Sequence, residues 1–222
     1  MKTPIRWAGS KKALLPMLRG YFQSRRYIEP FCGSACFYFD VEPKEAVLCD
    51  INPELIRTYR AVRRDASRVI ECLMRFRATE DEYYSVRSIS PDSLGDIELA
   101  ARFLFLNRLC FNGIYRTNSA GGFNVPFGRP KGNVRFDVEG IRQAGSVLQG
   151  AVLLDGDFEE ALSEAVRGDF VYLDPPYAIS ARRVFAEYHP NSFQEQDLDR
   201  LDRALSDLDS RGVHFVLSYA DS

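Results

Sequence analysis

The sequence predicts an α/β protein built on a parallel sheet, and three observations carry that reading. Short apolar runs alternate with longer segments of helical periodicity along the whole chain, the order of elements that builds a parallel sheet covered by helices. The runs are rich in β-branched and aromatic residues without polar alternation, as strands buried on both faces are. Four of them also end in an acid or a glycine, where open α/β sheets hold their ligands.

RYIEP (residues 26–30), AVLCD (46–50), AVLLDGD (151–157), DFVYLDPP (169–176) and HFVLSYAD (214–221) are the expected strands. Helices are expected over residues 10–22, 53–76, 94–109, 138–148 and 193–211, with Pro16 kinking or delaying the first. Residues 111–135 break the rhythm: five glycines, four asparagines and two prolines are interleaved with Phe111, Tyr115, Phe123 and Phe127. That composition suits a loop or hairpin excursion, and the four aromatics beside several bases mark it as an interaction element. A doubly wound sheet ordinarily continues past a strand such as HFVLSYAD, so further chain beyond Ser222 is expected.

At 222 residues, with 45% hydrophobic and 27% charged content, the chain has the material for one good-sized domain. No apolar run nears the roughly 20 residues of a bilayer span, and MKTPIRWAGSKK carries no hydrophobic signal segment behind its charges; the expected location is cytoplasmic. The five cysteines (Cys32, Cys36, Cys49, Cys72, Cys110) are odd in number and lack C-x-x-C spacing, while His189 and His214 lie far from them. Buried free thiols are therefore expected in place of a disulfide frame or a zinc site. The net charge of −2 hides a segregated distribution. Residues 1–28 contain seven bases (Lys2, Arg6, Lys11, Lys12, Arg19, Arg25, Arg26) and residues 99–136 six (Arg102, Arg108, Arg116, Arg129, Lys131, Arg135), with no acid in either stretch. Such segregation suggests one positive face suited to a phosphate backbone.

The stretch DFVYLDPPYAIS puts Asp174 at the carboxyl end of a buried strand, where Pro175 and Pro176 stop the ladder and stiffen the turn. Upstream, Gly33 and Asp50 have the spacing of a glycine for close backbone approach and an acid for ribose hydroxyls, but Ser34, Ala35 and Cys36 replace the further glycines of a dinucleotide fingerprint. A nucleoside without a pyrophosphate fits better, and a nicotinamide enzyme is disfavoured. Asp50 and Asp157 also have the alternative reading of helix N-caps. An exocyclic amine such as adenine's is a poor nucleophile, because its lone pair is delocalised into the ring. The Asp174 carboxylate and the Pro175 carbonyl are placed to accept its two N–H bonds and aim that lone pair at an electrophile, with Tyr177 stacking on a base turned out of its duplex.

RWAGSKKALLP, EPFCGS and DPPY resemble the N-terminal cofactor motif, the cofactor loop and the catalytic motif of the Dam family of DNA adenine-N6 methyltransferases. FLFLNRLCFNGIYRTNSAGGFNVPFGRP resembles that family's DNA-contacting hairpin almost throughout, and YHPNSF (188–193) resembles the loop after its catalytic motif. The resemblance runs from Arg6 to Asp221. It implies a Rossmann-like methyltransferase sheet with a small helical and hairpin DNA-recognition subdomain, residues 1–52 and 150–222 forming the catalytic domain and 53–149 the recognition part. It implies S-adenosylmethionine as methyl donor, with Trp7, Lys11, the Glu29-Pro30-Phe31 turn and Gly33 around its methionine part. Asp50 would then meet its ribose, Asp157 and Phe158 its adenine, and Asp174 both cofactor and target, no metal being needed. The resemblance assigns catalysis to Asp174, Pro175, Pro176 and Tyr177, and base contacts to Phe111, Ile114 and Arg116. Asn112, Asn118, Asn124 and Pro126 would be the hairpin framework, Arg108 and Arg129 further DNA contacts, and Arg6 the residue that reaches a guanine. Ala35 stands where relatives often carry a second glycine.

The reading is thus a site-specific methyltransferase acting on double-stranded DNA as a monomer, with GATC as the implied target; its role as restriction-modification partner, phage-borne modifier or housekeeping enzyme stays open. Two rivals stay open at this stage: a DNA-binding module without turnover, and a methyltransferase acting on RNA.

Overall fold

A computed structural model describes residue 1 and residues 3–118, 121–176 and 193–219. Its sheet has five parallel strands, β1 (Arg26–Glu29), β2 (Glu45–Asp50), β3 (Ala151–Asp155), β4 (Phe170–Leu173) and β5 (His214–Leu217). Every apolar run singled out above becomes one of them. The order across the sheet is β3-β2-β1-β4-β5, so the winding reverses between β1 and β4. The strands that follow these two, β2 and β5, lie on opposite sides of them, the arrangement that opens the crevice such sheets use for ligands.

The helices are α1 (Leu15–Leu18), α2 (Tyr38–Val41), α3 (Pro53–Leu73), α4 (Glu80–Ser88), α5 (Asp96–Leu109), α6 (Val138–Val147), α7 (Phe158–Ser163) and α8 (Glu195–Ser210). The expected helix over 10–22 shrinks to a 3-10 turn at Lys12–Leu14 and the single turn α1. Pro16 sits in that turn's first two positions, where its missing N–H costs nothing, and Gly20 follows two residues after its end. α2, α4 and α7 were not expected from the periodicity. α4 is announced instead by Thr79, whose side chain accepts the Glu82 N–H, and by three acids in its first turn. Long α3 is interrupted at Asp65, whose φ/ψ is non-helical and whose carboxylate recaps the chain by accepting the Arg68 N–H at 3.0 Å. Among the described residues, no helix is long and apolar enough to cross a membrane.

Strand alternation divides the interior in two. Tyr27, Leu48, Leu153, Phe170 and Tyr172 face the layer of α3, α5 and α6. Ile28, Val47, Cys49, Val171 and Leu173 face α7 and α8. The same period of two brings Glu29 and Asp50 onto the first face and carries Asp174, one residue past β4, toward it. The five cysteines are free thiols, four of them buried, as expected.

α5 is buried nearly all round, charged Arg102 included. The Arg102 guanidinium donates to Glu54 Oε2 at 3.1 Å, to the Val86 carbonyl at 3.3 Å and to the Arg87 carbonyl at 3.2 Å. It therefore caps the end of α4 and ties it to the start of α3. Arg102 was counted above toward a positive face, and the structure corrects that. Arg19, Arg25 and Arg26 leave the count too, being paired with Asp40, Glu45 and Asp169, the last two at the amino end of the sheet. Sequence counts cannot show pairing across the fold.

Losing Arg102 would leave the buried Glu54 carboxylate without its ion-pair partner. Arg102→Met is expected to cost about 3–5 kcal/mol in urea unfolding, and adding Glu54→Gln to recover part of that loss.

Candidate active site

The crevice is a cavity of about 770 Å³ at the carboxyl end of the sheet. One side comes from the loop after β1, where Pro30, Phe31 and Gly33 line the space. Gly33 has a φ of +44°, and a Cβ there would lie 2.6 Å from Nε1 of Trp7. The position thus needs glycine twice over, for the left-handed turn and for the indole that lies on it. Ala35, two residues on, also has positive φ (+48°), the conformation for which a glycine at that position is better suited.

Asp50 fixes this loop. One carboxylate oxygen accepts the Gly33 N–H at 2.8 Å and the other the Asn52 N–H at 3.0 Å. Asn52, not Asp50, is the cap of α3, accepting from the Leu55 N–H. Asp50 is thus a loop tie whose oxygens each keep acceptor capacity. Burial pushes its carboxyl above the ordinary range, and the two amides act the other way.

At the far side of the cavity Asp157 does cap a helix, α7, by accepting the Glu159 N–H at 3.0 Å. The same oxygen accepts from Arg200 at 2.7 Å, and the Arg200 guanidinium lies 4.8 Å over the Phe158 ring. Phe158 in turn stacks on Phe31, with 5.1 Å between centroids. Asp157, Phe158 and Arg200 all line the cavity.

Asp174 projects from the end of β4 toward the N-terminal segment, where its Oδ1 accepts from Lys11 Nζ at 2.5 Å. Burial pushes the Asp174 carboxyl up; the Lys11 hydrogen bond and charge pull it down. Asp174 and Pro176 line the cavity, Pro175 is buried beside them, and Tyr177 lies outside the described residues, as do 188–192 of the following loop. Glu29 sits behind the wall, taking the Tyr27 hydroxyl at 2.9 Å; burial raises its carboxyl well above the usual range, helped by the nearby charges of Asp174 and Asp50.

Among its described residues, the excursion after α5 has two isolated antiparallel bridges in place of a ladder, Cys110 with Phe127 and Thr117 with Phe123, and a 3-10 turn over Phe111–Gly113. Single backbone hydrogen bonds, such as the Asn124 N–H to the Arg116 carbonyl at 3.0 Å, and side chains carry the rest of the pairing. Arg116 Nε donates to Asn124 Oδ1 at 2.8 Å across the arms, the Asn118 side chain accepts the Gly122 N–H at the tip, and the Pro126 carbonyl accepts the Phe111 N–H. Asn112 holds positive φ at the 3-10 turn. Arg6 lies across Gly113, where a Cβ would come within 2.8 Å of its own, and donates to the Arg108 carbonyl at 3.3 Å. Arg6, Arg108, Phe111 and Asn112 are exposed there together, Phe111 at 50%, while Ile114 is half-buried. Arg129 stands apart, with Glu80 at 3.6 Å.

Several cavity residues were not anticipated: Asn52, Glu54, Tyr115, Thr117, Asp197 and Arg200. Tyr115 carried a signal as one of four aromatics in the excursion. Arg200 carried none, because only the fold brings α8 over α7.

Residues 7–222 match the family model of the D12 class N6 adenine-specific DNA methyltransferases. The chain is 38% identical over 229 residues to the type II methyltransferase M1.LlaDCHI of Lactococcus lactis subsp. cremoris, an alignment covering 98% of this chain and 80% of that protein. It is 32% identical to the retron Ec67 DNA adenine methylase of Escherichia coli, with 100% and 78% covered, and 33% identical to a DNA adenine methylase of Serratia marcescens, with 89% and 75% covered. A switch-point cavity walled by the matching motifs accompanies a family match over nearly the whole chain, and the chain belongs to the D12 class of N6 adenine-specific DNA methyltransferases.

Proposed function

We propose that this methyltransferase uses S-adenosylmethionine, acts on an adenine turned out of duplex DNA, and selects GATC-like sites. The observation that carries the reading is Asp174: a recessed carboxylate at the switch point, in the wall of a nucleoside-sized cavity and braced by Lys11. Its side chain is only 20% exposed, so an adenine still stacked in a helix would not reach it, which favours a flipped base.

The residues present fit the cofactor. Each Asp50 oxygen accepts one backbone N–H, leaving room for the two hydroxyls of a ribose. The stacked Phe31 and Phe158 offer an apolar wall for a purine, and Asp157 stands at its edge. Trp7 on Gly33 closes the side next to Asp174 and Lys11. When bound, S-adenosylmethionine supplies an electrophilic methyl group.

The chain's own part is to position and polarise. The Asp174 carboxylate and the Pro175 carbonyl accept the amine N–H bonds, which favours a tetrahedral nitrogen over the flat, delocalised one. Lys11 restrains Asp174 as a carboxylate against the opposing pull of burial. Outside the cavity, Arg6, Arg108, Phe111 and Asn112 form the exposed patch that would meet DNA, Arg6 offering its guanidinium to the two acceptors of a guanine, with Ile114 on the inner flank and Arg116 in the cavity wall.

Labelled methyl is expected on N6 of adenine in duplexes containing GATC and not in matched duplexes lacking it, and Asp174→Ala should lower the rate by at least about 100- to 1,000-fold. Transfer to both duplexes alike would overturn the site preference, and an active alanine variant the role of Asp174. The carboxyl of Asp174 must be ionised to accept, so kcat/KM is expected to fall as pH drops through its raised pKa. Lys11→Gln removes the influence that lowers that pKa, and should move this acid limb to higher pH whatever it does to the plateau. Gly33→Ala should introduce about 1–3 kcal/mol of strain and displace Trp7, read as a raised KM for the cofactor with a smaller change in kcat.

A further inference from the structure

Part of the cavity wall belongs to the excursion and not to the sheet. The Tyr115 ring stacks on Trp7, with centroids 5.9 Å apart and planes at 17°, and on Phe103 at 5.6 Å. Its hydroxyl donates to Glu54 Oε1 at 3.1 Å, while Arg102 holds the other oxygen of that carboxylate. Arg102 also grips the last carbonyls of α4, and from there Tyr83 and Arg87 both donate to the Val125 carbonyl, at 2.9 and 3.1 Å. Val125 is on the opposite arm of the same excursion. Tyr115 and Phe123 complete the circuit across the arms, 5.4 Å apart.

Both arms are thus held by one closed set of contacts, and within it Tyr115 touches the wall residue Trp7. Arg6 adds a second bond between the same parts. Its backbone exchanges hydrogen bonds with the Asn107 side chain at 2.9 and 2.7 Å, and its own side chain covers Gly113. Neighbouring residues 6 and 7 therefore face the exposed patch and the cavity respectively.

We propose that Tyr115 is a positioning residue that couples the two ligands: DNA gripped by the excursion and S-adenosylmethionine in the cavity strengthen each other's binding through the Trp7–Tyr115 stack. This rests on the function proposed above. The sign follows from the circuit. A duplex that holds both arms holds Tyr115, which keeps Trp7 against Gly33, so the second ligand has less ordering left to do. The linkage is reciprocal by necessity.

Trp7 is the single tryptophan of the chain, so its emission reports from inside the stack. The test titrates S-adenosylhomocysteine into the full chain by that emission, alone and with saturating mixed-sequence duplex at low salt, while anisotropy of a labelled duplex follows DNA binding separately. The duplex is expected to tighten cofactor-product binding within the range of about 5- to 150-fold usual for such linkage. Tyr115→Phe, which keeps the ring, should retain most of that ratio. Tyr115→Leu should bring it close to one, whatever it does to either single affinity, and Tyr115→Met, which fills the space without a ring, serves if the leucine variant does not fold. A ratio near one in the wild type, or an undiminished ratio in the leucine or methionine variant, overturns the coupling. Wild type that binds duplex but no S-adenosylhomocysteine, or the reverse, overturns the proposed cavity or DNA surface, and the coupling with it.

Discussion

The constraint on which the rest depends is the reversal of winding between β1 and β4. β1 is followed by β2 on one side and β4 by β5 on the other, and a gap opens at their carboxyl ends. Strand alternation then collects carboxylates around that gap: Glu29, Asp50 and Asp174. Burying three like charges together is costly, and the fold answers each one differently. Glu29 receives a hydroxyl, Asp50 two backbone amides and Asp174 an ammonium. Those unequal partners give chemically similar side chains unequal characters: one recessed behind the wall, one tying a loop, one held as an acceptor.

The N-terminal segment shares in that arrangement. Trp7 and Lys11 belong to no strand, yet one lies on Gly33 and the other on Asp174, so a few residues before the first helix complete the wall that the sheet leaves open. Asn107 anchors this segment from the end of α5.

The strands were legible because a strand buried on both faces needs an uninterrupted apolar run, and four of the five runs end at a visible acid, glycine or proline. The long helices were legible for the same reason at period 3.6. The short ones were not: α2 and α7 span four and six residues, too few to show a period, and α4 is marked by its cap more than by its apolar face. Within the site, Trp7, Gly33, Asp50, Asp157 and Asp174 come from motifs and are brought together. Tyr115, Glu54 and Arg200 join them through contacts between segments distant in sequence, as in the Arg200–Asp157 pair, and no local pattern encodes those. Charge counting failed for the complementary reason. Arg102 looks like any other base in a string of letters, and only the fold shows it buried against Glu54.

The chain from α3 to α6 is an enlarged crossover between the neighbouring strands β2 and β3. It departs from the carboxyl end of one and rejoins at the amino end of the other, about 20 Å away along a strand of this length. The excursion inside it is built differently. Its ends meet, the Gly128 N–H donating to the Leu109 carbonyl at 2.8 Å, and a Cβ at Gly128 would collide with the Cys110 carbonyl. A segment whose ends already touch can be lengthened, shortened or replaced with little change in the entropy of closing it, whereas replacing the whole crossover requires a graft that spans the sheet. Recombination among relatives therefore has a natural joint at residues 109 and 128, where the excursion, and with it the part of the cavity wall it supplies, can change while the sheet and its acids stay as they are.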